Sequence, residues 1–235
     1  MSDPVIRAMV FDFNGVIADD ETPHVLCFQQ ALAESGLTLS KEDYYGVYLG
    51  MDERTCARML FERRDGWCNE AELSRIGERK AELFQAHTAR RKPPLFPGVV
   101  NFVKAARARF PLAIASGGRK TQIEQALAGT AIEFDFQAIV SAEDCPIGKP
   151  DPAIYLMTCD RLNRLRAATD MIAPAECLVL EDSLAGIRSA KAAGMRVLAL
   201  ATTYPVDKLC EADSVVQGLD DVTPETAIER LSERL

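Results

Sequence analysis

The chain has 235 residues, 48% of them hydrophobic and 26% charged, with a formal net charge of −8. This is an ordinary globular composition, long enough for one large domain or a domain carrying an insertion. The acidic balance excludes a broad nucleic-acid surface, which needs a basic field, but leaves room for a small phosphate held by local positive groups or a metal. No apolar run reaches the ~20 residues of a membrane span. The polar start, Met1-Ser2-Asp3-Pro4, does not read as a secretory signal. A cytoplasmic protein with neither nucleic-acid nor membrane partners is expected, as a monomer or, alternatively, a dimer. The seven cysteines are scattered and form no Cys-x-x-Cys, which points to buried free thiols rather than a zinc site or a disulfide framework. Two histidines, His24 and His87, leave little for a histidine metal cage or a Ser-His-Asp triad.

Residues 5–11 are apolar except for Arg7 and predict a buried strand ending at Asp12. Gly15 permits a sharp turn there. Residues 22–36 predict a helix closed by Gly36, and Ser40-Lys41-Glu42-Asp43 resembles a capping box with Asp in place of Glu. Asp52 is placed to cap a helix running to about residue 64, and residues 69–91 predict a longer one. This all-helical stretch directly follows a strand, so it reads as an insertion. Pro93, Pro94 and Pro97 end it. Helix and strand then alternate. Helices are predicted at 99–109, 121–128, 152–165 and 184–193, and from about 224. Strands are predicted at 111–115, 138–140, 177–180, 196–200 and 215–216. Short apolar strands between helices imply a parallel sheet covered on both faces. The expected fold class is α/β: a Rossmann-like parallel-sheet core, residues 1–17 and 92–235, with an inserted helical cap at 18–91.

In a parallel sheet the carboxyl ends of the strands share one edge, where ligands bind. Four of these ends carry polar groups: Asp12 with Asn14, Ser116 with Gly117 and Gly118, the loop around Lys149, and Glu181 with Asp182. Acidic groups from two strands suit magnesium, which takes oxygen ligands. A hydroxyl, glycine-flanked N–H groups and a lysine suit a phosphate. Asp12 would face phosphorus as nucleophile. The plainer alternative is an Asx-turn in which Asp12 only bonds backbone N–H groups.

At this point the sequence resembles the haloacid dehalogenase-like hydrolase superfamily, over essentially the whole chain. Asp12-Phe13-Asn14-Gly15-Val16, Ala113-Ile114-Ala115-Ser116-Gly117, Gly148-Lys149-Pro150-Asp151-Pro152 and Val179-Leu180-Glu181-Asp182-Ser183-Leu184-Ala185-Gly186-Ile187 stand in the order of its four motifs. The pattern is similar to the helical-cap subgroup that includes β-phosphoglucomutase and phosphoglycolate phosphatase-like enzymes. The resemblance implies a magnesium-dependent phosphatase acting on a small phosphorylated metabolite through an aspartyl-phosphate on Asp12. Ser116, Gly117 and Lys149 would hold the phosphoryl group. Asp12, the backbone carbonyl of Asn14 and Asp182 would hold Mg2+, with Glu181 acting near the ion directly or through water. The cap would select the substrate.

One departure bears on mechanism. The family's phosphatases carry a second Asp where this chain has Asn14, and an amide cannot serve as general acid or base. Three explanations stand. The first is a divergent phosphatase using good leaving groups or another proton donor. The second is a protein whose phosphoenzyme lasts or that only binds phosphorylated ligands. The third is an engineered substitution, made to trap a complex. A sugar phosphomutase is a further alternative, disfavoured because mutases also need acid–base chemistry at this position. His24, twelve residues after Asp12, is a candidate substitute donor; the alternative is a surface histidine at a helix start. Arg54, in a segment resembling the specificity loop of capped relatives (Gly50 to Arg54), is a candidate for a second anionic group of the substrate; the alternative is an exposed helix arginine.

Overall fold

The computed structural model describes residues 5–48, 53–164 and 166–232. The chain divides into two compact units, Met1–Asp19 with Pro94–Leu235, and Asp20–Pro93. The joins fall two residues beyond those expected from sequence. Ala18 bridges both Asn14 and Leu95, and the Asp19 N–H donates to the Pro94 carbonyl at 2.9 Å. These backbone pairings keep residues 18–19 and 94–95 with the sheet.

The larger unit holds a six-stranded parallel sheet. Its strands are β1 (Ala8–Phe11), β2 (Leu112–Ala115), β3 (Ala138–Val140), β4 (Cys177–Glu181), β5 (Arg196–Leu200) and β6 (Ser214–Val216). Their order is β3-β2-β1-β4-β5-β6. β1 is shorter than the apolar run suggested, because its partner β4 begins opposite Ala8. Val5 is exposed, and Arg7 turns its side chain to Asp170 and Glu176.

The smaller unit is helical: α1 (Glu21–Ala33), α2 (Lys41–Asp43), a wide π-type turn (Tyr44–Tyr48), α3 (Glu53–Asp65) and α4 (Glu70–Arg90). Ser40 caps as predicted, its Oγ accepting from the Asp43 N–H at 2.9 Å. The helix it starts soon widens into the π-type turn, whose Tyr44 hydroxyl donates to Glu21 Oε1 at 2.6 Å. The proposed cap Asp52 lies outside the described residues, as do Gly50 and Met51. Phe28, Leu32, Leu60, Phe61, Leu73 and Ile76 form this unit's own core.

Back in the sheet unit, the helices are α5 (Val99–Arg107), α6 (Lys120–Leu127), α7 (Ala153–Asn163), α8 (Leu184–Ala192) and α9 (Pro224–Arg230). Alternation along the strands sorts the core into two layers. Met9, Phe11, Leu178 and Leu180 pack with α5, α6 and α9, and Phe11 meets Phe102 and Phe136 edge-on. Ala8, Val10, Cys177 and Val179 pack with α7 and α8. All seven cysteines are free. Cys68 is only half-buried and Cys210 is exposed, which corrects the expectation that every thiol is buried. Among the described residues no helix is long and apolar enough to cross a membrane.

Candidate active site

In the order β3-β2-β1-β4-β5-β6 the connections run outward in opposite directions from β1 and β4. The crevice beyond the carboxyl ends of these two strands is the place such sheets bind ligands. Asp12 follows β1, and Glu181 and Asp182 lie at the end of β4. Continuing the alternation, Asp12 and Glu181 point to the face covered by α7, where the loop carrying Lys149 enters.

Lys149 Nζ lies 2.5 Å from Asp12 Oδ1 and 2.6 Å from Glu181 Oε1. Asp12, Glu181 and Asp182 each offer a carboxylate oxygen within 4.8 Å of the others, and all three are buried. With all groups ionised, the cluster holds three carboxylates and one ammonium, an excess of two negative charges that a divalent cation would balance. The donor set is oxygen only, which fits magnesium. Two glycines make the packing possible. A Cβ at Gly15 would lie 2.0 Å from Asp182 Oδ2, and one at Gly186 would lie 1.7 Å from Glu181 Oε1. Gly15 also has φ +81°, a conformation costly for other residues. The Thr202 hydroxyl, just beyond β5, donates to the Gly15 carbonyl at 2.6 Å and fixes this turn.

Burial pushes the Asp12 carboxyl up to about 7; Lys149 opposes the rise and Glu181 adds to it. Burial alone would lower the Lys149 ammonium, yet Asp12 and Glu181 hold it well above its ordinary value. Burial likewise opposes ionisation of Glu181, but Lys149, the Ser183 N–H and the Tyr155 hydroxyl hold it below the usual carboxylate range. Both Glu181 oxygens are engaged. Oε1 accepts from Lys149 and Tyr155. Oε2 accepts from the Asp182 and Ser183 N–H groups and the Ser183 hydroxyl.

Ser116 is fully buried at the end of β2. Its Oγ accepts from the Gly118 N–H at 3.0 Å and donates to Asn14 Oδ1 at 3.3 Å. Gly117 is exposed, with open space where a Cβ would stand. Asn14 and Ser116 therefore meet, and Asp12, Lys149, Glu181 and Asp182 meet beside them.

His24 and Arg54 belong to the helical unit. His24 is not a surface residue. Its ring stacks on Phe84 with centroids 4.0 Å apart, its Nε2 lies 3.3 Å from Asp20 Oδ2, and its Nδ1 bonds Lys80. Lys80 is buried and also pairs with Glu53. Arg54 is exposed on α3 and pairs with Glu70. Sequence reasoning missed Lys80, because a lysine in a long charged helix reads as solvated. It also missed Tyr155 and Thr202, and gave no role to Gly186, which stands within the fourth motif. The spacing Lys149-Pro-x-Pro-x-x-Tyr155 was the available signal for the tyrosine.

This is a Rossmann-like α/β sheet with an acidic, lysine-bridged site at its switch point. The chain belongs to the haloacid dehalogenase-like hydrolase family, whose profile matches residues 6–194. It is 29% identical over 207 residues to Protein CbbY of Rhodobacter capsulatus, across 85% of this chain and 87% of that protein. It is 27% identical over 225 residues to the β-phosphoglucomutase of Bacillus subtilis strain 168, across 94% and 93%. Among solved structures it resembles a mutant CbbY of Rhodobacter sphaeroides in complex with xylulose-1,5-bisphosphate. That match has a TM-score of 0.77 and 25% identity, covering 92% of this chain and 96% of that one.

Proposed function

We propose that the chain is a magnesium-dependent phosphatase acting on a small phosphorylated metabolite in the cytoplasm, with phosphorylated sugars as the first candidates. The observation that carries this reading is Lys149 bridging Asp12 and Glu181 beside Asp182. Asp12 is the nucleophile: its carboxylate oxygen bonds phosphorus as the bond to the leaving oxygen breaks, leaving an aspartyl-phosphate that water then hydrolyses. Lys149 offsets repulsion between two anions, and Ser116 with the N–H groups of its glycine loop orients the phosphoryl oxygens. Asp12, Asp182 and the Asn14 carbonyl would hold the metal, which when bound supplies charge neutralisation and Lewis acidity. Glu181, with both oxygens engaged, serves by its charge and by holding Lys149. The names of a relative and of a structural neighbour, a sugar phosphomutase and a protein seen with a sugar bisphosphate, support the substrate class.

Asn14 can neither protonate the leaving oxygen nor take a proton from the attacking water. Turnover is therefore expected to favour substrates whose leaving groups need no proton. The test is phosphate release from a panel of sugar phosphates, phosphoglycolate, nucleotides and p-nitrophenyl phosphate, with magnesium or with chelator. Release is expected from p-nitrophenyl phosphate and at least one metabolite, in magnesium only. Equal release in chelator would overturn the reading.

The raised Asp12 pKa adds a second expectation. A protonated Asp12 must lose its proton to ligate a cation. Magnesium affinity of the metal-free protein should rise with pH up to about 7 and level off above it. Calorimetry in buffers of differing ionisation enthalpy should show proton release at pH 6 and little at pH 8. Binding without proton release at pH 6 would place the ion elsewhere.

A further inference from the structure

We infer that Tyr155 is a positioning residue that fixes the Lys149 ammonium by way of Glu181; its relevance to phosphate rests on the role of Lys149 proposed above. Tyr155 sits in the first turn of α7, a few residues beyond Lys149, and is fully buried. Its hydroxyl donates to Glu181 Oε1 at 2.9 Å, the same oxygen that accepts from Lys149 at 2.6 Å. Its ring faces the ammonium, with Nζ 5.0 Å from the centroid. One side chain thus touches both the cation and the anion that anchors it.

Packing alone does not account for a tyrosine here. A phenylalanine would fill the same core without bringing in a hydroxyl that must find a buried partner. The oxygen it finds is one that fixes the lysine. Without that donor, Oε1 loses one of its two bonds, and Glu181 is free to turn about the oxygen held by Asp182 and Ser183. Lys149 would then follow either Asp12 or Glu181 instead of being held between them. The loop that carries Lys149 is tethered independently, because the Ser189 hydroxyl on α8 donates to the Asp151 carbonyl at 2.6 Å. Loss of the tyrosine hydroxyl should therefore loosen the ammonium without releasing the loop.

The test compares the full chain with Tyr155→Phe, which keeps the ring, with Lys149→Met, and with the double variant. Inorganic phosphate in the presence of magnesium is the probe, its affinity read by calorimetry. Tyr155→Phe should weaken binding by about tenfold, the scale of one hydrogen bond to a charged group. In the Lys149→Met background it should add nothing, since its effect runs through the lysine. A merely structural tyrosine would give additive effects. Unchanged affinity in Tyr155→Phe, or additivity, would overturn the inference.

A second readout is independent of phosphate and of the Lys149 variants. In protein labelled with nitrogen-15 at lysine, the buried Lys149 ammonium should exchange its protons slowly, and Tyr155→Phe should speed that exchange by about tenfold. Unchanged exchange would also overturn the inference. If the parent chain binds no phosphate in magnesium, the proposed function fails, and ammonium exchange alone decides whether Tyr155 positions the lysine.

Discussion

Asp12→Ala removes phosphate release, by at least about 10³-fold, the scale on which loss of a covalent nucleophile acts. The change should do this without unfolding the protein. Breaking a buried ion pair normally destabilises by leaving one charge uncompensated. Here Lys149 keeps Glu181 at 2.6 Å, and the carboxylate removed is one of three crowded together beside it. Burial holds the Asp12 pKa at about 7 against its ordinary 3.8. Between those values the folded chain keeps a proton that the unfolded chain has lost, so in metal-free protein the stabilising contribution of Asp12 falls as pH rises through that window. Asp12→Ala should melt no lower than the parent at pH 8, and should lose the part of the pH dependence between 4 and 7 that Asp12 causes. Phosphate release that survives in a folded Asp12→Ala protein would remove Asp12 as nucleophile.

The same residue shows why much of the site could be read before the fold was known. Asp12, Ser116, Glu181 and Asp182 each follow or end an apolar run, Lys149 lies in the loop after another, and parallel strands bring such positions to one edge whatever their separation in sequence. What strand ends do not reveal is side-chain direction. Asp12 and Glu181 share a face by two-residue alternation along paired strands, and that face is covered by α7. Tyr155 is therefore within reach, yet in sequence it is only one apolar member of a helix. The role of Gly186, a member of the fourth motif, was hidden for a similar reason. The residue reads as an interior helix glycine until the Glu181 carboxylate is seen to occupy the space of its side chain. Lys80 went unremarked because burial of a lysine depends on partners, here His24, Glu53 and the Phe84 ring, that come from three helices. The joins between the units were misplaced by two residues because backbone pairing by Ala18 and Asp19 leaves no mark in composition.

Asn14→Asp should raise phosphate release from sugar phosphates by about 10²–10⁴-fold, the usual worth of a positioned general acid–base group. Ser116 Oγ lies 3.3 Å from Asn14 Oδ1, a contact that a carboxylate of the same shape keeps, so the gain comes from proton transfer rather than from a rebuilt loop. The increase should depend on leaving group. It should be large for alkyl phosphates, whose leaving oxygen must be protonated, and small in the first step for p-nitrophenyl phosphate, whose leaving group departs as an anion. Breakdown of the aspartyl-phosphate also needs a base to take the proton of water. The parent chain should therefore release p-nitrophenol in a burst followed by a slower steady rate, and Asn14→Asp should abolish the burst by speeding the second step. His24 gives the internal control. If it supplies the missing proton in the parent chain, His24→Asn lowers the parent's steady rate and has little effect once Asp stands at position 14. An Asn14→Asp protein no faster than its parent on any alkyl phosphate would mean that this chain carries its acid–base chemistry elsewhere; a parent rate already matching that of Asn14→Asp, and lost in His24→Asn, would locate it on the histidine.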